Sequence, residues 1–581
     1  MSYKKIACVA AVLACAAPLV SAHDSAAMGQ GLRVLDMLEE DKSAGNVYEA
    51  HFPSLDLARK AAITFHHAVL EANYESGYLV MELNREDMGK LRQFGFRIKP
   101  AERFMSQRKQ VLGQVQNLMR QRLTKGQPID DVNLYAIPGY SCYETVEETF
   151  TAAQGFVASK PALASWSDIG DSWQKKNGLG GYDMRVLKLT NSAVTGSKPK
   201  LFINSAIHAR EYTTAPLVLE FARWLINGYG TNADATWLLD HHEIHMLLHT
   251  NPDGRKRAEM GLSWRKNTNQ AYCGATSNSR GADLNRNFTQ SWNSTGGTGS
   301  SGSQCNATYR GPAPASEPET QAIEAYVRTL WPDSRGPNVG DAAPATTSGI
   351  HLDIHSYSQL VLWPWGDRSS AAPNGTALQT LGRKFAYFNN YTPQQSVGLY
   401  PTDGTSDAVS YGELGVAAFT FELGTSFFQS CTTYNSTIKP QNLQALIYAA
   451  KVVRTPYITP AGPDVTTVAL SGTAATTGVP RGTQVTLTGS ATDIRFRNSN
   501  GTEATQNIAA AEYYIDTPPW APGAVPWAMT ATDGSFNAKT EGIRATISTS
   551  SLSLGKHMVY VRSRDAAGSW GAVTATFLQL N

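Results

Sequence analysis

The spacing of apolar and polar residues changes character along this chain, and each change marks a different kind of structure. Between residues 46 and 100, short alternating runs (47–52, 77–83, 95–99) flank stretches of helical spacing (54–70, 85–94), which predicts a small α+β unit. A polar helix is expected over 103–125, dense in bases: Arg103, Arg108, Lys109, Arg120, Arg122 and Lys125. From 130 to 457, apolar β-branched runs at 184–189, 201–207, 244–250, 350–355 and 417–423 alternate with helical patterns such as 214–227 and 317–330. That alternation predicts an α/β fold, a mixed and mostly parallel sheet with helices on both faces. Past the proline-rich stretch 456–463, the chain turns rich in Thr, Ser, Ala and Gly. Period-two runs return there at 484–488, 512–515 and 558–562, so a β-sandwich is expected over 463–581.

Length and charge narrow the class. A chain of 581 residues exceeds what one core usually organises, so several domains are expected. A formal charge of +2, with 17% charged residues and no long basic run, argues against nucleic acid or an anionic membrane as partner. Residues 1–22 read as a secretory signal peptide: Lys4 and Lys5, an apolar stretch over 6–20, then the small-residue site Val20-Ser21-Ala22. Val12-Leu13-Ala14-Cys15 loosely resembles a lipoprotein cleavage box, a competing reading. Neither that apolar stretch nor any other is long enough to span a bilayer comfortably, so an exported, extracellular or periplasmic protein is expected.

Removal of the leader would take Cys8 and Cys15 and leave Cys142, Cys273, Cys305 and Cys431, an even number in an oxidising compartment. Three pairings are open. Cys273 and Cys305 bracket a Gly/Ser-rich loop and are the favoured pair, leaving Cys142 with Cys431.

The candidate chemistry lies in His208-Ala209-Arg210-Glu211, His355 and Glu422. Two imidazoles and one carboxylate leave a tetrahedral zinc ion one open position, and water held there becomes a nucleophile near neutral pH. Taken singly, each signal is weak. His-x-x-Glu arises often on helix faces, a lone His355 reads as a core histidine, and Glu422 as a strand-edge carboxylate. Their placement is more telling, because each ends an expected strand, where sites of α/β sheets gather. Glu422 also sits inside the apolar run 419–423, where a charge needs a partner. The segment 240–245 with His249 is metal-like in composition. It leads into an apolar strand ending at Asn251-Pro252-Asp253-Gly254, which favours a structural role, and His66-His67 reads as helix surface.

The blocks 203–211, Trp264-Arg265-Lys266-Asn267, 283–288, Tyr309-Arg310-Gly311-Pro312, 316–320, 353–358 and 419–423 resemble, in order and spacing, the zinc metallocarboxypeptidases of the pancreatic A and B type over roughly 135–455. The resemblance implies one zinc ion per chain, held by His208, Glu211 and His355. It implies that Glu422 takes a proton from the attacking water and passes it to the leaving amine, and that Arg265 stabilises the developing oxyanion. Asn285 and Arg286 would grip the substrate's free C-terminal carboxylate, Tyr400 would close over it, and Arg210 would line the outer substrate path. Asp283 would orient a zinc-bound histidine.

The same resemblance, counted back from Glu422 without gaps, places Asp407 at the base of the family's specificity pocket, which implies a B-like preference for terminal Lys or Arg. Ala408 stands where the B-type enzymes carry a second acid, so a mixed preference stays open. Residues 23–125 resemble the family's pro-domains, with the basic helix as activation segment, which implies a zymogen, an activating protease and cleavage near 120–125. Residues 560–570 resemble the last hairpin of bacterial immunoglobulin-like modules. The expected partners are peptides or proteins with a free C-terminus, and the enzyme is expected to be a monomer. Two alternatives are a zinc amidase or peptidase acting on cell-wall peptides and a non-catalytic surface-binding relative.

Overall fold

The computed structural model describes residues 46–65, 68–74, 76–125 and 136–581; residues 1–45, with the expected leader and the start of the expected pro-domain, His66-His67, Glu75 and residues 126–135 lie outside them. The N-terminal unit is a four-stranded antiparallel sheet of β1 (Val47–His51), β2 (Val69–Asn73), β3 (Tyr78–Glu82) and β4 (Arg97–Pro100), in the order β2-β3-β1-β4. Helices Leu55–Thr64 and Arg85–Gln93 complete it, and helix Glu102–Thr124 follows. One expectation fails here: helix 54–70 ends at Thr64, and Val69 and Leu70 open β2. Both are buried, and pairing with β3 outweighs the alanine-rich helical spacing.

The central unit is an eight-stranded mixed sheet in the order β11-β10-β12-β9-β7-β8-β6-β5. Its strands are β5 (Ala164–Asp171), β6 (Asp183–Leu189), β7 (Lys200–Ser205), β8 (Glu243–Leu247), β9 (Ile350–His355), β10 (Leu360–Trp363), β11 (Thr392–Gln395) and β12 (Ala417–Glu422). The middle strands β12, β9, β7 and β8 run parallel, and β6 and β5 join antiparallel at one edge. Every residue of β9 and β12 is buried, as strands covered on both faces require.

Alternation along each strand sorts the core into two layers. Leu201 and Ile203 pack with helices Thr214–Gly228 and Lys439–Val452, whereas Phe202, between them, packs with helix Pro318–Leu330 on the other face. Disulfides Cys142–Cys431 and Cys273–Cys305 are both formed.

The C-terminal unit departs from two separate stacked sheets. Strands β13 (Asp464–Leu470), β14 (Gln484–Thr492), β15 (Ile508–Ile515), β16 (Trp527–Ala531), β17 (Thr540–Ser548), β18 (Gly555–Asp565) and β19 (Thr574–Leu580) form one antiparallel sheet in the order β13-β14-β17-β16-β15-β18-β19. The cause is β16, whose first half pairs with β15 and whose last residues, Thr530 and Ala531, pair with β17. The sheet curls nearly into a barrel, and Val479, in the connection between β13 and β14, bridges to Leu580 of β19.

This unit packs on the central one: Tyr514, Tyr560, Ala572 and Val573 share the central core, and Trp520 lies against Trp237, His241 and His242. His242 directly precedes β8, so this contact lies at the amino end of that strand, away from the carboxyl ends where the candidate residues sit.

Candidate metal and peptide-bond site

His355 and Glu422 are the last residues of β9 and β12 and stand in register with each other. His208 does not end a strand as expected. β7 stops at Ser205 because Ala206 turns into the left-handed region at φ 53°, which leads the chain over the sheet edge to His208 three residues later. The ligand atoms of His208, Glu211 and His355 lie within 4.8 Å of one another, and all three residues are buried. Among the described residues no other such group occurs. The histidines at 241, 242, 245 and 249 are not gathered into one: His245 bonds Tyr326 and Glu243, and His242 packs on Trp237.

The outer partners set the tautomers. His208 Nε2 lies 3.0 Å from Asp283 Oδ1, and His355 Nε2 lies 2.9 Å from Asp353 Oδ2. A carboxylate facing Nε2 keeps the proton there and turns the Nδ1 lone pair inward. The two Nδ1 atoms face each other at 3.1 Å, and Glu211 lies 2.7 Å from one and 3.2 Å from the other. Two imidazole nitrogens and a carboxylate converging this way, with carboxylates behind both rings, form a nitrogen, nitrogen, oxygen set that suits zinc.

Burial raises the Glu211 carboxyl, but His208 and His355 outweigh it and hold it well below the usual range. Asp283 is likewise held low against burial, by Arg265 and His208.

Glu422 is the contrasting carboxylate. Burial, with Glu211 adding to it, pushes its carboxyl up to about 8 against the pull of His355. Its Oε2 is buried without a hydrogen-bond partner among the described residues. Glu422 shares one cavity with His208, His355, Asn285, Arg286, Tyr400, Thr405 and Asp407. Asp283 caps the turn Leu284–Arg286, its side chain accepting from Asn285 N, and so fixes the next two residues. Arg286 donates through Nε to Gly299 O at 2.8 Å, and its guanidinium lies 5.9 Å from the Tyr400 ring centre.

Arg210 and Arg265 line a second cavity, of about 200 Å³, together with Lys266 and Arg280. Arg265 is held by Asp283 at 3.1 and 2.8 Å, and its Nη1 remains buried and unpartnered among the described residues. Burial lowers Arg210 to about 10, Lys266 to about 8 and Arg280 to about 9.

Residues 151–446 match the family model described as zinc carboxypeptidase, over half of the 581 residues. The chain belongs to the zinc carboxypeptidase family. A zinc carboxypeptidase of Saccharothrix mutabilis subsp. capreolus is 32% identical over 300 residues, 49% of this chain and 62% of that protein. Carboxypeptidase A2 of Rattus norvegicus is 30% identical over 299 residues, 50% of this chain and 64% of that protein. The chain thus spans less than two thirds of the length of either relative. Among solved structures, thrombin activatable fibrinolysis inhibitor superposes with a TM-score of 0.51 at 22% identity, covering 70% of this chain and 98% of that one. Carboxypeptidase A from Helicoverpa armigera gives 0.50 at 21% identity, over 69% and 95%. At such identities these likenesses speak for the fold.

Within this zinc carboxypeptidase framework, sequence reasoning missed residues that brace the site. Asp353 holds His355 from two positions earlier on β9. The i, i+2 spacing that puts both on one face was readable. Ser406 donates its backbone N–H to Asn285 Oδ1 at 2.9 Å and its hydroxyl to Asp353. No local pattern announced that contact, because Ser406 reaches both residues only through the fold.

Proposed function

We propose that this chain is a zinc-dependent carboxypeptidase that removes the last residue of peptides and proteins, prefers terminal Lys or Arg, and is exported as a precursor. One observation carries the reaction class: the buried His208, Glu211 and His355 group opens into the same cavity as Glu422, Asn285, Arg286 and Tyr400. Zinc held by these ligands supplies Lewis acidity, which polarises a carbonyl and acidifies water.

The chain's own groups do the rest. Arg286 and Asn285 bind the terminal carboxylate, with Tyr400 beside the guanidinium, and so set the scissile bond one residue in. Glu422 accepts a proton from the attacking water and returns it to the leaving amine, a task its place in the cavity shared with His208 and His355 suits. Arg265, fixed by Asp283, turns its unpartnered Nη1 to the charge that develops on the carbonyl oxygen. Asp407, buried in the same cavity, favours a cationic terminal side chain, since an apolar one would leave it unpaired.

The precursor reading draws on the contacts of the N-terminal unit. Ala72 N donates to Thr425 O at 2.8 Å, and Tyr357 and Phe427 pack in that unit's core. These residues follow His355 and Glu422 by two to five positions, so the unit sits on the rim of the site. The basic helix Glu102–Thr124 then offers an activating protease its cleavage point. Two disulfides fit an oxidising, extracytoplasmic compartment. Among the described residues no helix is long and apolar enough to cross a membrane.

The test is release of C-terminal Arg, Lys, Phe and Leu from matched peptides, before and after limited proteolysis, with and without a zinc chelator. Chelator-sensitive release of basic residues, rising on proteolysis, is expected. Equal activity of intact and trimmed protein would defeat the precursor reading alone, and preference for Phe would defeat the role of Asp407 alone.

A further inference from the structure

Beyond Asp407 the cavity has a small annex. It is lined by Asp403, Gly404, Thr405, Asp407, Ala408, Trp365 and Gly366, and it shares Thr402, Thr405 and Asp407 with the chamber that holds His355, Arg286 and Tyr400. Its volume is about 10 Å³, room for roughly one water or one terminal nitrogen.

Asp403 is 1% exposed. Its Oδ2 accepts from Thr295 N at 3.1 Å and Thr295 Oγ1 at 2.5 Å, whereas Oδ1 is buried with no partner among the described residues. A neighbouring acid on the annex, Asp367, is already paired with Arg368 and Ser294. Leaving a carboxylate oxygen buried and unmatched is costly unless a donor arrives.

We propose that Asp403 is the second carboxylate of the specificity pocket, taking the part that Ala408 cannot, and that it selects terminal arginine over lysine. This rests on the reading of Asp407 as the base of that pocket. A guanidinium is a planar fork: one nitrogen meets Asp407 while another enters the annex and donates to Asp403 Oδ1. A lysine ammonium is a single point of charge and is spent on Asp407.

Asp403 also has a bracing role that any test must separate. Thr295 Oγ1, which donates to Asp403, accepts from Gly299 N at 2.7 Å, and Gly299 O holds Arg286 Nε. Loss of the brace would loosen the carboxylate clamp for every substrate alike. Asparagine at 403 keeps an oxygen for Thr295 and removes the charge.

The experiment compares kcat/KM for peptides ending in Arg, Lys and Leu in wild type, Asp403→Asn and Asp407→Asn, each made as the full chain and proteolysed identically. In wild type, Arg should exceed Lys by about tenfold, and Asp403→Asn should bring that ratio near one by lowering Arg alone. An unchanged Arg:Lys ratio, or an equal fall for Arg, Lys and Leu, overturns the proposal. Asp407→Asn should instead depress Arg and Lys together relative to Leu. Wild-type preference for Leu over both basic residues overturns the reading of Asp407 and this one with it.

A measurement on wild type alone serves if Asp403→Asn does not fold. Peptides ending in Nω-methylarginine should lose about tenfold relative to Arg, because a methyl group does not fit an annex with room for one nitrogen. Equal cleavage of both overturns the proposal.

Discussion

Glu422 and His355 are directly opposed residues of neighbouring parallel strands, so the candidate base and a candidate ligand share one step of sheet register. Neighbouring strands lie about 4.8 Å apart, and the pleat turns residues at matched positions to the same side. The distance from base to ligand is therefore a property of the sheet, not of a loop. It follows that Glu422→Gln, which keeps shape and burial, should lower kcat by about 10²–10⁴-fold with little change in KM or in zinc content. Steady-state kinetics with metal analysis checks this. A parallel loss of zinc would assign Glu422 a structural part instead.

Asp353 should matter for the metal rather than for substrate. Asp353→Asn removes the charge that turns His355 Nδ1 inward, and zinc affinity should weaken by about 10–100-fold while the fold is retained. Competition with a chromogenic chelator measures the change. Affinity equal to wild type would mean that the Nε2 contact does not set the tautomer.

Acids buried at the start of helices Pro318–Leu330 and Pro252–Glu259 predict a pH dependence of stability away from the site. Burial, with Asp253 and Glu317 nearby, raises Glu319 to about 8, from an ordinary value of 4.5. Between those values the unfolded chain has lost the proton and the folded chain keeps it. Stability from this group is therefore complete below pH 4.5 and is lost as pH rises toward 8. Glu319→Gln should flatten that decline, raising stability at pH 8 relative to pH 5 by on the order of 3 kcal/mol. Urea unfolding at both pH values tests it. A slope equal to wild type would show that Glu319 ionises normally.

The two disulfides should differ in weight. Cys142–Cys431 spans 289 residues and Cys273–Cys305 spans 32, so the first restrains the unfolded chain more. Its double serine variant should cost about 5–6 kcal/mol, and that of the shorter loop about 3–4 kcal/mol, in the chain-entropy model. Denaturant midpoints decide the order. A larger loss from the shorter loop would point to native-state packing as the dominant cause.

The central strands were legible in the sequence because burial on both faces leaves a continuous apolar run, and the ends of those runs located His355 and Glu422. His208 was less so: the left-handed turn at Ala206 ends β7 early, and alanine does not advertise that conformation. Strand β2 was hidden within an apparent helix, since its pairing with β3 is a tertiary fact. The same holds for the C-terminal unit. Its strands could be read one by one, but the straddling of β16 that joins them into one sheet depends on register between distant segments. Asp403 carries no signal in the sequence, because only the fold leaves its Oδ1 buried without a donor among the described residues.

The claim on which the rest depends is that a free C-terminal carboxylate, gripped beside the His208, Glu211 and His355 group, defines the scissile bond. It is tested most directly by a pair of peptides ending in arginine, one as the free acid and one as the amide, assayed on the proteolysed protein with and without a zinc chelator. The account predicts release of arginine from the free acid only, abolished by the chelator. Comparable hydrolysis of the amide, internal cleavage of either peptide, or release that persists without metal would contradict it.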